Sequence, residues 1–250
     1  MNRYKRIFTI VALVLWLCGC HAVVSSNVSN FEKDTIPSNG GYLTQIDEKN
    51  HIVIELPLEY SYNAETLQLI TEHIESVIRK STGVSCDLIY TQDIASQNLK
   101  WDGVVYTEYN AKINSQYTFC DEGLASIVFE GMINYKSAAH PMHVFFTLNY
   151  DPKTNQQVNF LDLYDIDDGV HSRILQAVEE KISSEGGEDL VLIRDYVTNL
   201  YPTKEAILKG LSESGEVYAY FTETGVGISL QVPFVLGGHI EVELPQRTLR

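Results

Sequence analysis

The sequence predicts an α+β fold: a mainly antiparallel sheet with a few packed helices, in two small subdomains. Apolar residues alternate with period two in many short segments. Helical spacing recurs in fewer places. Turn residues separate consecutive strands closely enough for hairpins, and that mixture is the α+β pattern.

His51 to Tyr60 alternates Ile52, Ile54, Leu56 and Leu58 on one face, with Pro57 marking an edge or an end. Asn63 is placed to cap a helix over about residues 64–81, whose stripe is Leu67, Ile70, Ile74, Val77 and Ile78. Gly83 would stop it. Val104–Tyr109 and Lys112–Cys120 read as strands joined by a turn at Asn110-Ala111. Leu124–Tyr135 and Met142–Tyr150 read as a hairpin. A turn over Asp151 to Asn155 leads to a short strand at Val158–Leu161. Val170, Ile174, Ala177, Val178 and Ile182 mark a second helix, ended by Gly186-Gly187. Leu190–Tyr201 reads as helix, and Thr203 caps a short one that ends at Gly210. Strands at Val217–Thr222, Gly227–Val232 and His239–Leu244 complete the chain.

The first six residues carry Arg3, Lys5 and Arg6, and an apolar run follows from Ile7 to Leu17. That run is shorter than the ~20 residues needed to span a bilayer core. It has the form of a secretory signal peptide. Leu17-Cys18-Gly19-Cys20 resembles a bacterial lipobox, which implies cleavage over residues 1–19 and acylation of Cys20. No Asp retention signal follows in His21-Ala22, so outer-membrane sorting is open. The expected location is the cell envelope, lipid-anchored and facing the periplasm or the exterior. Residues 20–41 are rich in Ser, Asn and Gly and read as a flexible tether.

The chain has 250 residues and a formal charge of −15. Losing residues 1–19 removes three positive charges and no acid, so −15 becomes −18. Such acidity argues against nucleic-acid binding, which needs a basic face to displace counterions. It favours cationic partners. Cys86 and Cys120 match no zinc or redox spacing, and outside the cytoplasm they could form a disulfide.

No catalytic signature is present: no G-x-S-x-G, no P-loop and no H-E-x-x-H. His140 and His143, with Asp162 or His239 as a third donor, make the best metal constellation. Strand residues three apart point to opposite faces, so no metal and no cofactor is expected. His140 reads as a turn histidine. Asp162/Asp165 and Asp167/Asp168 precede a helix, where capping is the default role. The 15 tyrosines suit half-buried strands.

Leu124 to Tyr135, Ser137-Ala-Ala-His-Pro141, Phe145 to Asp151 and Val158-Asn-Phe-Leu-Asp-Leu-Tyr164 carry a resemblance. They are similar to the extracytoplasmic domain shared by RsiV-type anti-sigma factors and PdaC-type peptidoglycan deacetylases. The aromatic strand at Tyr218 to Phe221 and the Gly237-Gly238 hairpin fit that pattern too. The resemblance implies a PdaC-like subdomain over 42–122 and an RsiV-like one over 123–250. Its Gly-Gly-Ala-His-Pro element is Ser137-Ala-Ala-His-Pro141 here. Its C-terminal signature is replaced by Val232-Pro-Phe-Val-Leu236. The matched motifs make Tyr135, His140, Pro141, His143 and Tyr164 the candidate binding residues.

Such a domain binds lysozyme in the RsiV type, while deacetylation in the PdaC type belongs to a different domain. The expectation is therefore a non-enzymatic, lipid-anchored binding module for lysozyme or a similar cationic wall hydrolase, with no sigma-factor partner. The alternatives are a peptidoglycan-binding or purely structural envelope lipoprotein, and a metal-assisted wall-polymer hydrolase using His140 and His143.

Overall fold

Strand alternation and one capped helix account for the first half of the fold. The computed structural model describes residues 42–47, 52–57, 62–83, 85–86, 88–91, 109–135, 141–185 and 188–245. β1 (Tyr42–Asp47) and β2 (Ile52–Pro57) pair antiparallel, and β3 (Ile89–Thr91) joins the other side of β1. β4 (Tyr109–Cys120) lies parallel to β2. β5 (Ala125–Tyr135), β6 (Met142–Asp151) and β7 (Gln156–Gln157) then follow as an antiparallel meander. The resulting sheet has the order β3-β1-β2-β4-β5-β6-β7.

Helix α1 (Ala64–Thr82) lies within the β2-to-β4 crossover. The Asn63 side chain accepts a hydrogen bond from Thr66 N at 2.7 Å, so it caps as expected. Gly83 closes the helix at φ 73°, a left-handed conformation that glycine adopts at little cost. Leu67, Ile70, Ile74 and Ile78 are buried in one core with Ile113, Ile127, Phe129 and Phe146.

The second half builds another core. β8 (Val217–Phe221), β9 (Gly225–Gln231) and β10 (His239–Pro245) form an antiparallel sheet in the order β10-β9-β8. Helices α2 (Phe160–Leu163), α3 (Asp168–Glu185), α4 (Glu188–Leu200) and α5 (Lys204–Lys209) precede it. Val170, Ile174, Val178 and Val197 pack with Phe221, Ile228, Leu230 and Val242. The architecture is α+β with mostly antiparallel sheets.

An edge strand joins the two halves. Among the described residues, β8 pairs with β9 on one side and with no strand on the other. Its other side would leave backbone groups unpaired where the two sheets meet, which is costly if they are buried. Side chains of the larger sheet take those groups instead. Phe221 N–H donates to Ser126 Oγ at 3.0 Å, and Phe221 O accepts from Thr118 Oγ1 at 2.7 Å. Ala219 O accepts from Thr147 Oγ1 at 3.1 Å and from Asn149 Nδ2 at 3.0 Å. Ser126 Oγ–H in turn donates to Asn149 Oδ1. Ser126 and Asn149 are both buried.

Several expectations need correction. Asn110 and Ala111 form no turn; both lie inside β4, where Ala111 pairs with Ile52 on one side and Ile133 on the other. The inward alternation of Ala111, Ile113, Ser115 and Tyr117 runs straight through that point. Val158–Leu161 is not a strand, because Asn159 accepts from Leu161 N and starts α2. Thr203 makes no side-chain capping bond to α5. Gly210 does not stop that helix: the chain continues through a π turn over Gly210–Ser214 to Gly215. Gly210 serves close packing, since a Cβ there would lie 2.4 Å from Val217 Cγ2. Cys86 and Cys120 form no disulfide in this structure, so the expected bridge is not formed. β1 was not expected. The boundary at 122/123 falls in the β4–β5 turn, between strands that pair in one sheet.

Asn149→Ala removes two of the side-chain bonds at the junction and leaves Ala219 O with fewer partners. The expected loss is about 2–4 kcal/mol in urea unfolding of the whole chain, given about 1–3 kcal/mol per buried group left unsatisfied. A loss below about 0.5 kcal/mol, the size of a neutral surface change, would contradict the role given to this residue.

Candidate functional site

Glu130, His143 and His239 are far apart in sequence and meet where β10 approaches the larger sheet. In the β5–β6 register Glu130 faces Phe145, and Met132 faces His143. Glu130 and His143 are therefore diagonal neighbours on one face. His143 Nε2 lies 3.1 Å from Glu130 Oε1. Gly237 and Gly238, at φ 104° and 86°, turn the chain into β10, conformations that a side chain would oppose. Gly238 also rests against His143: a Cβ there would come within 3.2 Å of His143 Cβ.

That turn delivers His239 onto the His143 ring. The two imidazoles stack with centroids 4.6 Å apart and planes 12° from parallel. Phe145 covers His239 at 4.5 Å. His239 Nε2 lies 3.4 Å from Glu241 Oε1, and Glu241 Oε2 accepts from the Tyr220 hydroxyl at 2.7 Å. Tyr220 lies flat over Gly227, its partner on β9, where any Cβ would strike the ring at 2.1 Å. A glycine is thus required at 227 to seat the tyrosine that holds Glu241.

Burial pushes the His143 ring below its ordinary pKa, the His239 ring adds to that, and Glu130 works against it. Burial raises Glu241, but hydrogen bonds from His239 and Tyr220 outweigh it and hold the carboxyl below the usual range. Burial, with Glu241 beside it, raises the Tyr220 hydroxyl, which therefore stays protonated and donating. On α1, burial also lowers His73, against a hydrogen bond to the Thr147 backbone.

Three hollows adjoin this cluster. One of about 820 Å³ reaches from His73 and Lys80 on α1, past Phe145 and Tyr218, to His143 and His239. A second, of about 510 Å³, is lined by Glu130, Tyr220, Glu223 and Glu241. The third, about 560 Å³, shares Tyr220 and Glu241 and adds Glu180, Lys181 and Glu243. Glu130, Glu223 and Glu243 are exposed. Tyr220 itself is buried, so what the second and third hollows present to a cationic side chain is a set of carboxylates.

Of the residues proposed from sequence, His143 takes part in this cluster. Pro141 is half-buried just before β6. His140 lies outside the described residues, and Tyr135 ends β5 with its side chain outside them. Tyr164 is buried, its ring 5.4 Å from Phe160 in the second core, where it serves packing. Asp162 is exposed on α2 and is not among the clustered donors. Glu130, Tyr220 and Glu241 were not singled out. The signals for them were the Tyr-x-Tyr strand and the Gly-Gly turn before His239.

No protein-family model matches the chain, and no curated protein does. Two solved structures are similar in shape. A protein from Pseudomonas aeruginosa PAO1 is 13% identical, with a TM-score of 0.47 over 85% of this chain and 92% of that one. A protein from Bacteroides fragilis NCTC 9343 is 12% identical, with a TM-score of 0.43 over 83% and 90%. Both structural neighbours are DUF3298 family proteins.

His73 and His143 both bind protons less readily when folded than when unfolded. Unfolded histidine titrates near about 6.5. Their stabilising effect is complete above that pH and is lost as pH falls toward the lowered folded values. The melting temperature should drop between about pH 7.5 and 5.5, and drop less in the double variant His73→Gln/His143→Gln. Equal drops in both proteins would contradict this assignment.

Proposed function

We propose that this chain is a non-enzymatic binding module of the cell envelope, lipid-anchored through Cys20, that captures a basic wall-active protein of the lysozyme type. The observation that carries the reading is the carboxylate set at the sheet junction. Glu130, Glu223, Glu241 and Glu243 stand around Tyr220, in two adjoining hollows. A lysine or arginine from a basic partner would meet several carboxylates together.

Charge alone does not hold a complex. Exposed ion pairs contribute roughly 0–1 kcal/mol each, so the carboxylates mainly steer approach and select against acidic proteins. Apolar anchors supply the remainder. Phe234 and Val235 stand exposed on the 3₁₀ turn before β10, Val235 at 85%. That turn leads directly into His239. The formal charge of −15 acts over longer range in the same sense.

The basic head, short apolar run and Leu17-Cys18-Gly19-Cys20 support the anchor. Among the described residues, no helix is long and apolar enough to cross a membrane. The likeness to RsiV-type and PdaC-type extracytoplasmic domains rests on the Ala139-His140-Pro141 and Leu161-Asp162-Leu163-Tyr164 elements. It supports a ligand-capturing role rather than a catalytic one.

The test is a panel of lysozymes titrated onto the full chain in mild detergent at two salt concentrations. Stoichiometric binding to at least one, weakened but not abolished by salt, is expected. Glu223→Gln/Glu243→Gln should weaken it about tenfold at low salt, and Val235→Asp should weaken it at both. Absence of binding across the panel, or binding that all three substitutions leave unchanged, would overturn the reading.

A further inference from the structure

We infer that Glu130, His143 and His239 form a binding site for a divalent transition ion of the zinc class, one that ties the two sheets together. One donor atom from each residue lies within 4.8 Å of the other two. Two imidazole nitrogens and a carboxylate oxygen are the donor set that zinc favours, whereas calcium and magnesium take oxygen donors. Among the described residues, His143 Nδ1 is buried and has no hydrogen-bond partner, so a lone pair or N–H of the cluster is uncommitted there.

The surroundings suit a metal centre as well. Glu241 sits 3.4 Å from His239 Nε2 and is itself fixed by the Tyr220 hydroxyl. A carboxylate on one ring nitrogen sets the tautomer and turns the other nitrogen to the ion. Glu130 is exposed, and its carboxylate already lies 3.1 Å from His143 Nε2. A tetrahedral zinc ion with ~2.0–2.1 Å bonds needs donors about 3.4 Å apart. Reaching that spacing with both rings requires them to leave their near-parallel stack, because an imidazole lone pair lies in the ring plane. Zinc binding therefore exchanges a ring stack for two coordinate bonds.

Glu130 lies on β5, His143 on β6 and His239 on β10. The ion would thus join the larger sheet to the far strand of the smaller one, opposite in sheet order to the β8 edge. The link it makes between the sheets does not depend on the lysozyme reading.

Titrating ZnSO4 into the untagged, chelator-stripped full chain in detergent tests the site by calorimetry and by melting. Expected are a Zn²⁺-binding event and a rise in melting temperature of about 5 °C at zinc well above Kd. Magnesium should cause neither. His143→Gln, His239→Gln and Glu130→Gln should each weaken that event at least tenfold and remove most of the rise. With Co²⁺, the wild-type chain should show the visible bands of a low-coordinate ion, lost in His239→Gln. Melting in chelator confirms that each variant is folded; Glu130→Gln, at an exposed position, carries the test if a histidine variant is not. No zinc-dependent rise in the wild-type chain, or an equal rise in the folded variants, would overturn the assignment.

Discussion

The free edge of β8 is the constraint on which the rest of the structure depends. An edge strand packed against a second sheet must find partners for its buried outward backbone groups. Here four side chains of the larger sheet supply them: Thr118, Ser126, Thr147 and Asn149. Each comes from a different place on β4, β5 or β6, so the bonds fix both the height and the direction of β8 on the sheet face. The two hydrophobic cores could tolerate sliding, because apolar contact is not directional. A ladder of short side-chain bonds cannot.

The placement of β8 determines the site. β9 and β10 follow β8 in register, and β10 carries His239 and Glu241. Setting β8 against β6 brings these residues to His143 and Glu130, about a hundred residues earlier in the chain. Small residues complete the fit. Gly227 seats Tyr220, and Gly238 lets the backbone close against His143. The site owes its geometry to two elements that no local pattern would bring together. The carboxylates around it give a mostly acidic exterior its focused point, and that point faces solvent.

Much of the local structure was legible in the sequence. Asn63, the Leu67–Ile78 stripe and Gly83 state one helix with its cap, face and stop. The β5–β6 hairpin and the three last strands follow from period-two alternation. What escaped was non-local. Asn110 looks like a turn residue, but pairing with β2 and β5 on both sides holds it extended. Gly210 looks like a stop, but it is there to admit Val217. His143 was visible as a strand histidine, while the offset of three from His140 argued against a shared ion. The partner ring comes from β10 instead, which spacing within one strand cannot reveal. Ser126, Thr147 and Asn149 read as ordinary strand polar residues, and only the docked sheet shows why they are inward.

The most direct test of the ladder is amide hydrogen exchange at Phe221 in the full chain. On an edge strand its N–H, turned away from β9, would exchange quickly. Donation to Ser126 Oγ in a buried junction predicts protection that approaches the global stability of the chain, and loss of that protection in Ser126→Ala while the amides of β9 stay protected. Rapid exchange at Phe221 in the unaltered protein would contradict the docking of the two sheets described above.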